Sequence, residues 1–154
     1  MITCFIDGCC EPFNPGGMAS YGIAVLRDGL IIHEASKLFL PISGKEKETS
    51  NNVAEYLALQ YLLEWLINQN LNKESIEVRS DSMLVIKQMW GNWRIKQGLY
   101  VPIARGCREL VKQFPDIHGW WIPREENSMA DKLSKEVLLK AGVIFRIQPD
   151  RQRS

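Results

Sequence analysis

The fold of this chain is decided by residues 2–10, which read Ile2-Thr3-Cys4-Phe5-Ile6-Asp7-Gly8-Cys9-Cys10. Successive side chains of a strand point to opposite faces, and both sets are largely apolar here, which is typical of a strand at the centre of a sheet. Asp7 lies near the carboxyl end of this strand. Because an unpaired carboxylate is costly to bury, we expect positive charge to lie beside Asp7.

The composition is that of a single globular domain. A length of 154 residues suffices for one hydrophobic core, and 45% hydrophobic with 24% charged residues argues against disordered and membrane classes. The net charge of +1 neither requires nor excludes a polyanionic partner. The sequence shows no apolar run of bilayer length and no leader pattern, so we predict a cytoplasmic protein with no membrane partner. We also expect a monomer, since no obligate protein partner is evident.

The cysteines and histidines do not form a zinc-binding pattern. Neither residue type recurs at the short, paired spacings of zinc sites; the residues are Cys4, Cys9, Cys10, Cys107, His33 and His118. We expect reduced thiols, since adjacent cysteines such as Cys9 and Cys10 do not easily bridge to each other. His118 is interpreted as a structural residue of a strand.

Turn residues and hydrophobic periodicity divide the chain into five strands and four helices. After the first strand, strands are predicted at 19–26, 30–40, 74–79 and 117–122, and helices at about 50–69, 82–89, 101–114 and from 128 onward. This order predicts an α/β fold with a five-stranded mixed sheet, three antiparallel strands followed by two parallel ones, flanked by helices. One catalytic domain is predicted at residues 1–142, followed by a C-terminal tail at 143–154.

The first predicted helix, at about 50–69, carries an apolar stripe. Residues at spacings of three and four form it: Ala54, Leu57, Ala58, Tyr61 and Trp65. We therefore expect this helix to bury one face.

Three further acids stand at predicted element boundaries, and each has a structural explanation. Glu55 follows Asn52 by three residues, which is the spacing of a capping box. Asp131 follows Ser128, the expected cap of the last helix, at the same spacing. Asp81 follows a strand directly and could itself cap the next helix. Taken singly, none of the three requires a functional site.

Taken together, the acids predict a metal site. The first and fourth strands are expected to be neighbours, which would bring Asp7 and Asp81 side by side where open α/β sheets place ligands. Glu55 could reach them from the helix laid across the sheet, and Asp131 from the first turn of the last helix. Four carboxylates at one place repel one another and require cations. Such oxygen ligands are those that Mg²⁺ or Mn²⁺ prefers.

Four sequence blocks carry a resemblance to a known family. They are Phe5-Ile6-Asp7-Gly8-Cys9-Cys10 with Asn14-Pro15-Gly16-Gly17, then Ser50-Asn51-Asn52-Val53-Ala54-Glu55, then Arg79-Ser80-Asp81-Ser82, then Arg124-Glu125-Glu126-Asn127-Ser128-Met129-Ala130-Asp131. In this order, over about residues 1–140, they resemble type 1 ribonuclease H. The resemblance implies a ribonuclease H-like fold and an endonuclease that hydrolyses the RNA strand of RNA/DNA hybrids, leaving 5′-phosphate and 3′-hydroxyl ends.

The resemblance also implies a two-metal centre. In the family, two Mg²⁺ ions, for which Mn²⁺ can substitute, are bound by the residues that match Asp7, Glu55, Asp81 and Asp131. Asp7 is implied to bridge the ions, and Asp131 to help hold the ion that activates the attacking water. Glu55 and Asp81 are implied to hold the ion beside the leaving oxygen. No protein nucleophile is then required.

Further residues are implied to contact the substrate. In the minor groove the 2′-hydroxyl distinguishes RNA from DNA, and the residues that line this contact by resemblance are Cys9, Cys10, Asn14, Asn51 and Met83. The alternative role of Asn51 is a helix cap, and that of Met83 is helix packing. The DNA strand could be contacted through stacking and phosphate contacts by Trp93, Arg94 and Lys96. The alternative there is a loop whose tryptophans complete the core.

The sequence departs from the bacterial pattern in the loop before the last acid. Many family members carry a histidine there that is thought to assist proton transfer, whereas this chain has Arg124. Archaeal-type members show a similar Pro-Arg-Glu loop, so the resemblance is closer to that variant, and Arg124 is predicted to take part in catalysis. Two alternatives stay open. One is a non-catalytic nucleic-acid-binding module of the same fold, and the other is a different polynucleotidyl transferase, such as a reverse-transcriptase fragment or a double-stranded RNA nuclease.

Overall fold

A computed structural model of the chain describes residues 1–11, 17–39 and 50–143. Its elements in chain order are β1 (Ile2–Glu11), β2 (Met18–Arg27), β3 (Leu30–Phe39), α1 (Asn51–Asn68), β4 (Ile76–Ser80), α2 (Met83–Met89), α3 (Val101–Val111), β5 (Ile117–Trp121) and α4 (Ser128–Lys140). A 3-10 turn at Arg124–Glu126 leads into α4. The predicted order of elements is confirmed, with some ends displaced by a few residues.

The five strands form one mixed sheet in the order β3-β2-β1-β4-β5. Neighbours β1 and β2 are antiparallel, as are β2 and β3, whereas β1, β4 and β5 run parallel. The predicted fold class is therefore confirmed. β1 lies at the centre, where Ile2, Cys4 and Ile6 are fully buried. Parallel pairing places the carboxyl ends of β1 and β4 at the same edge of the sheet.

Two glycines allow helices to approach the central strands. A Cβ on Gly8 would lie 2.3 Å from the backbone nitrogen of Glu55 in α1, and a Cβ on Gly22 would lie 2.5 Å from the carbonyl oxygen of Ala130 in α4. Gly22 pairs across the strands with Asp7, the residue before Gly8. Because successive residues of a strand face opposite sides, α1 and α4 cover opposite faces of the sheet.

Helix α1 is buried on more than the one face that its apolar stripe predicts. It packs on β1 and β2 and is itself covered by α3. For this reason the side chains that are fully buried include Tyr56, Leu59, Leu62, Leu63 and Leu66. Leu57, Tyr61 and Trp65 of the predicted stripe are only partly buried. The prediction of a single buried face is therefore wrong, because a second layer of helix covers α1.

All four cysteines are free and buried. Burial raises the pKa of the Cys9 thiol to about 12. This thiol is therefore neutral at physiological pH in the metal-free chain.

The end of the described chain lies close to β1. Val143 packs beside Cys9 and Leu138. The tail from residue 144 lies outside the described residues, so the domain boundary at 142 stays a prediction. Within the described part, no helix is both long enough and apolar enough to cross a membrane.

Candidate functional site

An aspartate stands on each of the two central parallel strands at the point where their pairing ends: Asp7 lies within β1, and Asp81 directly follows β4. Ile6 of β1 pairs with Ser80 of β4, so the next residues, Asp7 and Asp81, occupy neighbouring positions. Asp7 is 5% exposed, and Asp81 is partly exposed. The carboxyl edge of such a sheet is where α/β proteins commonly bind their ligands.

Glu55 reaches these aspartates from the start of α1. The close approach of α1 to Gly8 brings the Glu55 carboxylate to the sheet edge, where the Gly8 backbone N–H donates to it. Oxygen atoms of Asp7, Glu55 and Asp81 all lie within 4.8 Å of one another. We refer to these three residues as the acid group. Three carboxylates at this spacing can ligate one divalent cation.

Helix capping does not account for the acid group. The N-cap of α1 is Ser50, whose side chain accepts a backbone N–H of the first turn, and Asn52 is an exposed helical residue. The N-cap of α2 is Ser82, which accepts a first-turn N–H in the same way. The capping explanations for Glu55 and Asp81 are therefore wrong. Neither carboxylate is used to cap a helix, so both are available to bind a ligand.

The acid group holds more negative charge than its surroundings neutralise. Burial, followed by the charges of Asp81 and Asp131, raises the pKa of Asp7 well above its ordinary value. Burial, followed by the charges of Asp7 and Asp81, does the same to the pKa of Glu55. Among the described residues, no hydrogen-bond partner contacts the buried Oε2 of Glu55. A buried carboxylate oxygen without a partner, beside two other acids, fits a bound divalent cation.

Asp131 adjoins the acid group but is paired with cations of the chain. Its two carboxylate oxygens lie 2.9 and 3.1 Å from the ammonium of Lys135, one turn further along α4. The guanidinium of Arg124 lies 3.7 Å from one of them and is 69% exposed. Asp131 is close enough to Asp7 for its charge to raise the pKa of Asp7. The structure thus brings the four predicted acids together, with three in a compact group and the fourth beside them.

Sequence reasoning does not identify Asn127, which ties α4 to β1. The side chain of Asn127 is fully buried, and its amide donates to the carbonyl oxygen of Ile6, directly before Asp7, at 2.9 Å. Asn127 and not Ser128 is the N-cap residue of α4, so Asp131 lies one position beyond that of a capping box. An Asn directly before a predicted helix indicates a cap, and nothing in the sequence indicates its distant partner.

Two serines add a second link between α4 and Asp7. Ser134 is fully buried, and its hydroxyl lies 3.2 Å from Oδ2 of Asp7 and 2.7 Å from the carbonyl oxygen of Asp131. Ser20 of β2 donates in turn to the carbonyl oxygen of Ser134. Asp7 is therefore oriented from the α4 side of the sheet as well as from its own strand.

The residues predicted to contact the minor groove occupy different environments. Cys9 is 8% exposed and Cys10 is fully buried, so neither thiol faces solvent. The Cys10 backbone N–H donates to the side-chain oxygen of Asn51 at 2.9 Å, which joins β1 to the first residue of α1. Met83 is exposed at the start of α2. Asn14 lies outside the described residues.

An irregular segment after α2 carries the residues predicted to contact DNA. Trp93, Arg94 and Lys96 line a groove of about 630 Å³. Trp93 is 46% exposed and does not complete the core, whereas Trp90 packs against it, so the alternative holds for one of the two tryptophans. The buried Gln88 side chain holds the segment in place, because it donates to the carbonyl oxygen of Arg94 at 3.0 Å and accepts from the hydroxyl of Tyr56 at 2.6 Å.

Comparison with known proteins identifies the family. A family model described as reverse transcriptase-like matches residues 21–137. The chain belongs to the reverse transcriptase-like family. The matched range of this reverse transcriptase-like chain contains Glu55, Asp81 and Asp131, and Asp7 lies before it.

Relatives of this reverse transcriptase-like chain include ribonucleases H. Ribonuclease HI of Halobacterium salinarum is 32% identical over 89% of this chain and 64% of the relative. A bifunctional protein of Mycobacterium tuberculosis is 34% identical over 58% of this chain, which spans about a quarter, 24%, of the relative's length. Among solved structures, this chain is similar to LC11-RNase H1, a protein from compost whose crystal structure contains an RNA/DNA hybrid. The TM-score is 0.78 at 32% identity, and the match covers 92% of this chain and 99% of that one. The predicted resemblance to type 1 ribonuclease H is confirmed.

Proposed function

We propose that this chain is a ribonuclease H that cuts within the RNA strand of RNA/DNA hybrids. The observation that carries the proposal is the acid group, in which Asp7, Glu55 and Asp81 approach within 4.8 Å at the carboxyl edge of two parallel strands. The relatives named ribonuclease HI and RNase H1 support the reaction class.

The four acids would hold two divalent cations, which we propose to be Mg²⁺ with Mn²⁺ as a substitute. Asp7 is suited to contact both ions, because it touches Glu55 within the acid group and lies beside Asp131. Bound there, the ions would supply an activated water near neutral pH and offset the charge that develops on the phosphodiester. We propose that the 3′-oxygen leaves, which gives 5′-phosphate and 3′-hydroxyl ends.

The chain itself orients the acids and the phosphate. Asn127 and Ser134 fix the main chain and the carboxylate at Asp7. Where many family members carry a histidine, Arg124 presents a guanidinium, whose fork of N–H donors matches the oxygens of a phosphate. We propose that Arg124, exposed beside Asp131, contacts an oxygen of the scissile phosphate.

The substrate contacts are proposed from position and exposure. Because both thiols are buried, we propose that Cys9 and Cys10 shape the minor-groove contact through their main chain and not through sulfur. The side chains proposed to contact that groove are Asn14, Asn51 and Met83. The DNA strand would lie along the groove lined by Trp93, Arg94 and Lys96.

The proposal is tested by cleavage of one end-labelled RNA strand that is paired either with DNA or with RNA. We expect the hybrid to be cut in Mg²⁺, cleavage to stop when EDTA removes the metal, and duplex RNA to be cut at least about tenfold more slowly. Faster cutting of duplex RNA would identify a double-stranded RNA nuclease instead. Binding of the hybrid without cutting would identify a non-catalytic module.

A cytoplasmic location and a monomeric state stay predictions.

A further inference from the structure

Lys135 occupies a position that a metal ion could take. Its ammonium contacts both carboxylate oxygens of Asp131, at 2.9 and 3.1 Å. A cation between the two oxygens of one carboxylate sits where a bidentate metal ion also sits. Within the described chain, no Lys or Arg forms such an ion pair with any member of the acid group, which comprises Asp7, Glu55 and Asp81. The chain thus pairs one of its four acids directly with a lysine, and among the other three the more distant charge of Arg124 only opposes the rise in the pKa of Asp81.

The pair between Lys135 and Asp131 differs from an ordinary surface pair. Residues four apart on a helix often form weak, solvated ion pairs, and α4 contains one between Lys140 and Glu136. There Lys140 is 74% exposed, whereas the side chain of Lys135 is 16% exposed. The charge of Lys135 also reaches inward to Cys9, where it opposes the rise in the thiol's pKa. Lys135 therefore points toward the acids and not toward solvent.

We propose that Lys135 is a built-in counter-ion that competes with a metal ion for Asp131. The inference rests on the proposed function, because it assigns Lys135 a role at the same metal centre. In the metal-free chain Lys135 satisfies Asp131, so a first ion is expected at the acid group. A second ion requires Lys135 to release at least one oxygen of Asp131. Lys135 thereby lowers the affinity of that second position until the phosphate of a bound substrate adds negative charge beside it.

The test is calorimetric titration of Mn²⁺ into the full chain without nucleic acid. Lys135→Met keeps an unbranched side chain, one atom shorter, and removes its charge, so the second position should bind Mn²⁺ at least about fivefold more tightly. Lys135→Arg keeps the charge and should resemble the wild type. Lys140→Met removes the comparable surface pair on the same helix and should leave the titration unchanged. Lys135→Gln provides a second neutral variant should Lys135→Met fold poorly.

The outcomes separate this inference from the proposed function. Equal affinity and stoichiometry in the wild type and the neutral variants would overturn the role of Lys135. So would equal tightening in Lys135→Met and Lys135→Arg, because the cause would then be packing and not charge. The metal centre itself would be overturned if the wild-type chain bound no Mn²⁺. It would also be overturned if the Asp7→Asn variant bound Mn²⁺ with the affinity of the wild type.

Discussion

At the residue scale, Glu55 links the stability of the fold to the charge of the site. Burial raises the pKa of Glu55 and of Asp7 well above their ordinary values. A carboxyl whose pKa rises on folding contributes stability that is complete below its unfolded pKa, about 4.3 for Glu, and that is lost as the pH rises through its folded pKa. These acids should therefore weaken the metal-free protein toward neutral pH. A bound cation would offset the loss, because it favours the ionised native form.

Glu55→Gln should isolate this effect, because it keeps the size of the side chain and removes its titration. Without metal, the melting temperature of the variant should rise relative to the wild type between acidic and neutral pH, by roughly 2–4 °C for each kcal/mol by which the burial cost and the repulsion of the Glu55 charge are relieved. Thermal melts followed by circular dichroism measure the difference. Glu64→Gln, at an exposed position of the same helix, is the control and should show no such trend. A constant difference between Glu55→Gln and the wild type across the pH range would contradict the explanation.

Gly8 sets the distance between α1 and β1, and so the position of Glu55. A new Cβ would lie 2.3 Å from the Glu55 nitrogen and 2.4 Å from the Ala54 carbonyl carbon, backbone atoms that move only with the helix. Gly8→Ala should lower the free energy of unfolding by roughly 1–3 kcal/mol and weaken metal binding. Gly106→Ala in α3 meets no atom within 4 Å and should be neutral or stabilise by up to about 1 kcal/mol. Similar urea midpoints for the two variants would argue against a close contact at Gly8.

At the element scale, local patterns predict the strands and the sheet order, but not the packing between helices. The two-sided apolar pattern of residues 2–6 indicates a central strand, and a parallel partner then places Asp7 beside Asp81. The stripe on α1 fails to predict the burial of Tyr56 and Leu59, because α3 adds a second contact surface. Periodicity describes one helix and carries no information about which other helix covers it.

The site is likewise only partly predictable from the sequence, which indicates the acids but not the residues that orient them. Its acids can be recognised in the sequence. Each carboxylate at an element end has a structural explanation by itself, but the four together would repel one another and therefore indicate a bound cation. The residues that hold them do not stand out, since Asn127 acts on a carbonyl 121 residues away. Ser134 likewise gains Asp7 as a partner only when α4 approaches Gly22 of β2.

Gln88 connects α2 to the segment proposed to contact DNA. Its amide nitrogen donates to the carbonyl oxygen of Arg94 and to the hydroxyl of Tyr100, each at 3.0 Å. Gln88→Met should release this segment, so the KM for the hybrid should rise about three- to tenfold while kcat changes less than about twofold. Gln113→Met, at an exposed position outside the groove, is the matched control and should leave the KM unchanged. A fall in kcat with unchanged KM in steady-state kinetics would show that Gln88 acts elsewhere.

At the scale of the whole molecule, binding to a polyanion must depend on a few local cations. The net charge is only +1, so the overall field gives little attraction. Arg94 and Lys96 in the groove and Arg124 beside the acids are the cations suitably placed. Each cation that neutralises a phosphate releases counter-ions, which makes binding sensitive to salt.

The number of these phosphate contacts should determine how steeply hybrid binding weakens as salt is added. In a plot of log Kd against log salt concentration, joint replacement of Arg94 and Lys96 by Ala should reduce the slope by about 2, close to one unit for each lost phosphate contact. Lys112→Ala is the control, because Lys112 is exposed and pairs with Glu109 outside the groove. Fluorescence anisotropy with a labelled hybrid in Ca²⁺ measures the slope. An unchanged slope in the double variant would place the phosphate contacts on other residues.

The central claim is that the clustered acids hold divalent cations, and anomalous diffraction from crystals soaked in Mn²⁺ tests it most directly. We expect a Mn²⁺ peak at ligand distance from Asp7, Glu55 and Asp81. With a hybrid bound, we expect a second peak between Asp7 and Asp131. Density for these carboxylates with no Mn²⁺ peak among them, at a concentration that saturates solution binding, would contradict the account.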